Sequence, residues 1–146
     1  MHIENSLPDP LAFCGFLRIS EYATLLRVDV CLTEERLSIM LCQSKIDPFR
    51  HGHSIQLYLA NTSTCPLHAF QLYSYLIPKK SPSAPVFSAE RFSPLSCHKL
   101  NAVIRHLLQQ AGLNQSDYSS HSFRIRAATT AASAGIPAWL VMKLGR

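Results

Sequence analysis

The sequence predicts a mainly α-helical domain with a small three-stranded antiparallel sheet set between its first and later helices, an α+β class. Three observations lead there. The runs "LRVDVCL", "RLSIMLCQS" and "HSIQLYLA" alternate apolar and polar residues and lie close together. The segments before and after them repeat apolar residues at helical spacing. Apolar residues make up 47% of the chain and charged residues 16%, the composition of a chain that folds. At 146 residues the size is that of one domain, spanning 1–146.

The polar, proline-punctuated opening leads to Pro10, which suits the first turn of a helix over "LAFCGFLRISEYATLL". Leu11, Cys14, Phe16, Leu17 and Leu25 form its apolar face, with Arg18 and Glu21 one turn apart on it. The three strands follow, the second ending in a hairpin that carries Lys45, and the loop "KIDPFRHG" supplies the Pro and Gly of a turn. Pro66 starts a helix on which Leu67, Phe70, Leu72, Tyr75 and Leu76 recur near helical spacing. "PKKSPSAP" reads as a loop and "VFSAERFSPLS" as a short extended piece ending at Ser96, a candidate N-cap. The helix after it turns Leu100, Val103, Ile104 and Leu107 inward and stops at Gly112. Ser119 or Ser120 caps the next helix, which ends near Gly135, and Pro137 opens a last short one.

The formal charge is +5, from 14 Lys and Arg against 9 Asp and Glu, with 7 His besides. Such a surplus favours polyanionic partners, nucleic acid before anionic membrane. The apolar runs are broken well short of a membrane span. Five single cysteines show neither a disulfide framework nor a CxxC clip, which points to a reducing, intracellular setting. His51-x-His53 and Cys65-x-x-His68 match no usual zinc ligand set, so no metal is expected. Trp139, Leu140, Val141 and Leu144 read as core packing.

In "HSFRIRAATTAASAGIPAWLVMKLGR", His121 and Arg124 stand at i and i+3 and share a helix face. A guanidinium fork suits phosphate oxygens, and an imidazole beside it exchanges protons near neutral pH. The alternative is a helix that merely begins with a polar turn. From the residues alone, Lys45 is a polar hairpin residue, Arg18 pairs with Glu21 in an internal salt bridge, and Lys79, Lys80, Lys99, Arg105 and His106 either meet phosphate or solvate a helix face.

That closing stretch resembles the segment bearing the second catalytic arginine of tyrosine recombinases, the phage integrase family, above all the DIRS-type and Crypton-type enzymes of eukaryotic mobile elements. "FCGFLRISEYATL" resembles the family's first arginine box, "LCQSKIDPFRHG" its lysine hairpin and "CPLHAFQLY" the proline-led helix after it, in the family's order from about residue 11 to Arg146. The resemblance implies the recombinase catalytic-domain fold, with double-stranded DNA as substrate and strand cleavage and rejoining as reaction. Arg18 and Arg124 would clamp the scissile phosphate, with Glu21 beside Arg18. Lys45 would protonate the leaving 5′ oxygen, and His121 would manage the nucleophile's proton. A phosphotyrosine stores the bond, so no metal, ATP or other cofactor is implied.

The family's nucleophilic tyrosine lies beyond the glycine matched by Gly145, whereas Tyr22, Tyr58, Tyr73, Tyr75 and Tyr118 all precede His121. The expectation is a domain truncated at its C-terminus and lacking the N-terminal core-binding domain, inactive in cleavage as it stands. Arg146 occupies or adjoins the family's His or Trp position. Arg126 replaces a family Gly, either adding a DNA contact or crowding the helix packing, and Lys99 and Arg146 are further candidate DNA contacts. The resemblance also implies multimers on DNA and a nuclear location. The alternative function is a non-enzymatic DNA-binding remnant of a mobile-element recombinase.

Overall fold

The computed structural model describes residues 13–42, 52–77, 81–88, 95–119 and 121–145. Among them are five α-helices and one three-stranded sheet. In chain order these are α1 (Ile19–Ala23), a 3-10 turn (Arg27–Asp29), β1 (Val30–Leu32), β2 (Arg36–Leu41), β3 (His53–Tyr58) and α2 (Pro66–Leu76). After them come α3 (Cys97–Gln110), a second 3-10 turn (Gln115–Asp117), α4 (Ser122–Ser133) and α5 (Ala138–Gly145). The expected mainly helical α+β class is what is found.

The sheet is a β1-β2-β3 meander, antiparallel throughout, with Val30 opposite Ile39, Leu37 opposite Leu57 and Ile39 opposite Ile55. Period-2 alternation puts Leu37, Ile39 and Leu41 of β2 on one face, and all three are buried there. Residues from every layer complete that core: Leu17 and Tyr22 beside α1, Leu67, Phe70 and Tyr73 of α2, Val86 and Phe87, and Leu100 and Ile104 of α3. Tyr22 stacks on Phe87 with centroids 4.2 Å apart, and the Tyr73 hydroxyl donates to the Val86 carbonyl at 2.8 Å. That bond satisfies the polar tip of a buried ring.

The first expected helix is not continuous. Phe16 has φ 53, a left-handed conformation that a non-glycine residue adopts only in a forced turn, and Arg18 is extended at φ -75, ψ 150. α1 starts only at Ile19, with Arg18 as its N-cap and Glu21 at the third helical position. The first strand is also shorter than its alternation implies. Leu26 donates its amide to Asp29 Oδ2 at 3.1 Å, Arg27 and Val28 donate theirs to Ala84 and Pro82, and Leu26 bridges Pro85. With the Arg27 and Val28 amides committed to the 81–88 loop, the ladder to β2 begins at Val30.

The helix ends follow local chemistry. Pro66 occupies the first turn of α2 after Cys65, Ser96 Oγ accepts from the Lys99 amide at 3.2 Å, and Gly112 and Gly135 take left-handed φ at the ends of α3 and α4. Rotation about the helix axis was less legible for α2. Leu67, Phe70 and Tyr73 are buried, whereas Leu72, Tyr75 and Leu76 face out, Tyr75 at 86% exposure. Both faces of that helix are apolar, so periodicity alone does not choose between them. α5 corrects the core-packing expectation more sharply: Trp139 is 63% exposed, and Met142 and Leu144 are exposed as well. α5 lies against α4, with Leu140 and Val141 only half-buried.

Candidate active site

Arg18 and Glu21 are joined by the break before α1. Because Arg18 is extended at the N-cap, its backbone amide donates to Glu21 Oε2 at 2.8 Å while its guanidinium Nη1 donates to Oε1 at 3.1 Å. One carboxylate thus caps the helix and holds the arginine. Within the described residues Glu21 is the charged side chain that reaches the buried class. A carboxylate there is tolerable because both its oxygens are paired.

Arg124 comes to the same place from the far end of the chain. It lies half-buried on α4, on the packed side that continues through Ala127, Ala128 and Ala131. The alanine-rich run has a physical use here: methyl side chains let the helix backbone lie close to its neighbours, and the one long residue on that stripe is the arginine. Burial lowers the Arg124 pKa, the neighbouring Arg18 charge lowers it further, and the Glu21 carboxylate opposes both. A guanidinium stays protonated through such a shift at any physiological pH. Two cations and one anion therefore act on one another in a partly desolvated setting.

His121 stands at the N-cap of α4 with helical backbone angles, φ -79 and ψ -20, so its imidazole precedes Arg124 by one turn. Its amide donates to Ser119 Oγ at 3.3 Å, and Ser119 in turn donates its amide to Ser122 Oγ at 2.8 Å. This serine pair fixes the entry to the helix and leaves the histidine exposed.

The remaining candidates separate. Arg126 is exposed and, two residues beyond Arg124, lies about 200° around the helix. It neither crowds the packed stripe nor turns toward the guanidinium pair. Lys99 is exposed in the first turn of α3. Lys45 and Arg146, like Lys79, Lys80 and His51, lie outside the described residues. Cys65 is buried and His68 exposed, so that spacing does not bring the two side chains to one point. No group of three metal-ligating side chains occurs among the described residues, and no helix of those residues is long and apolar enough to cross a membrane.

Sequence reading missed a cavity of about 310 Å³ beside Glu21, walled by Leu25, Leu26, Met40 and Leu41 and carrying Asp29 and Cys42. Cys42 Sγ donates to Asp29 Oδ1 at 3.5 Å. That hydrogen bond, then the carboxylate charge, raises the thiol pKa. The pair joins the end of β2 to the turn before β1, and no local signal announces it. Removing the charge with Asp29→Asn should lower the thiol pKa and speed alkylation of Cys42 several-fold at neutral pH, with the difference vanishing at high pH where the thiolate forms in both proteins. Labelling rates against pH, read by mass spectrometry, check this; equal rates at neutral pH would refute it.

Arg18, Glu21 and Arg124 thus interact on a mainly helical domain with a three-stranded antiparallel meander. The chain matches the Phage integrase family over residues 10–145, nearly its whole length, and belongs to that family, the tyrosine recombinases. It is 27% identical over 143 residues to the integrase/recombinase xerD homolog of Selenomonas ruminantium, an alignment covering 93% of this chain and 41% of that protein. The chain thus spans less than half the length of that relative.

Proposed function

We propose that this chain is the catalytic-domain portion of an enzyme that cleaves and rejoins DNA strands in recombination or integration. The observation that carries the reading is the convergence of Arg18 and Arg124 around Glu21. Two guanidiniums aimed at one phosphate stabilise the charge that builds on its non-bridging oxygens in the pentacoordinate transition state. Glu21 holds Arg18 in place, so the clamp is set before DNA arrives. His121, one turn ahead of Arg124, takes the nucleophile's proton, and Lys45 delivers one to the departing 5′ oxygen. The nucleophile is a tyrosine, and no tyrosine occurs between Arg124 and Arg146.

α3 supports a wider DNA footprint. His98, Lys99, Arg105 and His106 are exposed on one side of that helix, opposite buried Leu100 and Ile104. This stripe suits contacts to the duplex backbone, with Arg126 and Arg146 as further phosphate contacts. The run "HSFRIRAATT" supports an origin among DIRS-type or Crypton-type elements, with multimers on DNA and a nuclear site of action. A DNA-binding remnant that uses the basic surface without chemistry is the second reading, favoured by the exposed basic side of α3.

Duplex binding against salt, together with a strand-cleavage trap, tests both readings. The chain should bind duplex with affinity that falls steeply as salt rises. Arg18→Ala with Arg124→Ala should weaken binding by about tenfold or more at low salt if the clamp engages phosphate. Binding indifferent to both arginines and to Lys45→Ala would transfer the case to the remnant reading, and an adduct trapped at a tyrosine would support the catalytic one.

A further inference from the structure

The cavity beside Glu21 lies between α1 and the end of β2, and the phosphate chemistry proposed above leaves it without a role. Its volume of about 310 Å³ falls at the lower end of the range for small-molecule sites, roughly 300–1,000 Å³. Leu25 and Leu41, both buried, wall it on the core side, and Met40 and Cys42, both exposed, stand toward solvent. Two carboxylates, Glu21 and Asp29, supply its charge, and no Lys, Arg or His side chain lines it.

The two carboxylates are not equivalent. The Glu21 charge is answered by Arg18, whose Nη1 is 3.1 Å from Oε1. Asp29 is half-buried, and among the described residues no cationic side chain pairs with it. Its Oδ2 accepts from the Leu26 amide at 3.1 Å, while its Oδ1 accepts from the Cys42 thiol at 3.5 Å, a weak donor at long range. A carboxylate offers about four acceptor sites, so Asp29 can take further donors from the cavity, and a charged N–H is a far stronger donor than a thiol.

These features select the chemistry of an occupant. The uncompensated charge of Asp29 calls for a cation and repels an anion. A divalent metal ion needs six or more oxygens around it, which walls of leucine and methionine do not supply. A short apolar body, by contrast, fits against Leu25, Leu26 and Leu41, and the flexible Met40 side chain can follow its outline.

We propose that this cavity is a binding site for a small organic cation, one ammonium or amidinium group on an apolar body, with Asp29 as its anchor. The cationic N–H groups donate to the Asp29 carboxylate in place of the Cys42 thiol, and the leucines cover the apolar body. The site is independent of the proposed phosphate clamp, which takes an anion, and its test involves no DNA.

Benzamidine, an amidinium on a phenyl ring, is the probe, and benzamide, its neutral isostere, the control. Titrated into the isotope-labelled chain and followed by amide NMR, benzamidine should shift the Leu26, Asp29 and Cys42 signals saturably, as one site. Benzamide should need a concentration about tenfold higher or more, since it lacks a hydrogen bond between charged groups. Asp29→Asn keeps an oxygen for the Leu26 amide and removes the charge, so it should weaken benzamidine by a similar factor and leave benzamide unchanged. Because that comparison sets two ligands on one protein, a partly unfolded variant cannot imitate it. The proposal is overturned if the shifts do not saturate, if they centre on the other acidic residues Glu34, Glu35 and Asp117, if benzamide binds as well as benzamidine, or if Asp29→Asn leaves benzamidine binding intact.

Discussion

Glu21→Ala should be among the most damaging single changes in the candidate active site, costing about 2–4 kcal/mol of stability. Three losses combine. The N-terminus of α1 loses the acceptor for the Arg18 amide, worth about 1 kcal/mol for a capping interaction. The Arg18 guanidinium loses its charged partner, a bond to a charged group in the range of about 1.5–3 kcal/mol, toward the low end because the arginine side chain is 21% exposed. The Arg18 charge then acts on Arg124 with no Glu21 carboxylate to oppose it. Against a stability of about 5–15 kcal/mol for a domain of this size, the loss is large. Glu21→Gln keeps an oxygen for the cap and loses the charge, so it should fall between wild type and alanine. Urea midpoints for the three proteins check the order, and a double-mutant cycle with Arg18→Ala isolates the pair. A Glu21→Ala protein as stable as wild type would show that the carboxylate holds nothing.

Ala127→Leu should be the second severe change, and for a different reason. Ala127 is 3% exposed on the same stripe as Arg124, so three extra carbons have no room. Overpacking at such a position costs about 1–3 kcal/mol. The helix must also shift outward, which carries Arg124 away from Arg18 and weakens duplex binding about as much as Arg124→Ala does. Ala132→Leu, on the exposed side of α4, adds the same three carbons and should stay within about 0.5 kcal/mol of wild type with binding intact. Equal effects at the two positions would remove the close-packing account of the alanine run.

Much of the fold was legible because its signals are local. Alternation over residues 36–41 and 53–58, Pro66 at the start of α2, Ser96 before α3 and the glycines at 112 and 135 each act within a few residues through backbone geometry, a cap or a left-handed φ. Such features need no distant partner to operate, so they can be read one at a time. The likeness to the phage integrase family was legible as well, and the family match over residues 10–145 agrees with it.

The rest depended on which segments meet. Helical periodicity carries "LAFCGFLRISEYATLL" straight through Arg18, but tertiary packing turns the chain at Phe16 and makes Arg18 a cap for a helix of five residues. Which apolar side of α2 faces in was settled by the Tyr73 hydroxyl finding the Val86 carbonyl, and the exposure of Trp139 by α5 lying against α4 alone among the major helix contacts. The Asp29–Cys42 pair joins residues from separate elements and leaves no trace in spacing. By itself, then, the sequence determined the elements, their caps and the chemical types available to a phosphate site, because those depend on neighbours along the chain. Only the tertiary structure decided that Arg18, Glu21 and Arg124 share one corner, because burial and charge pairing depend on neighbours in space.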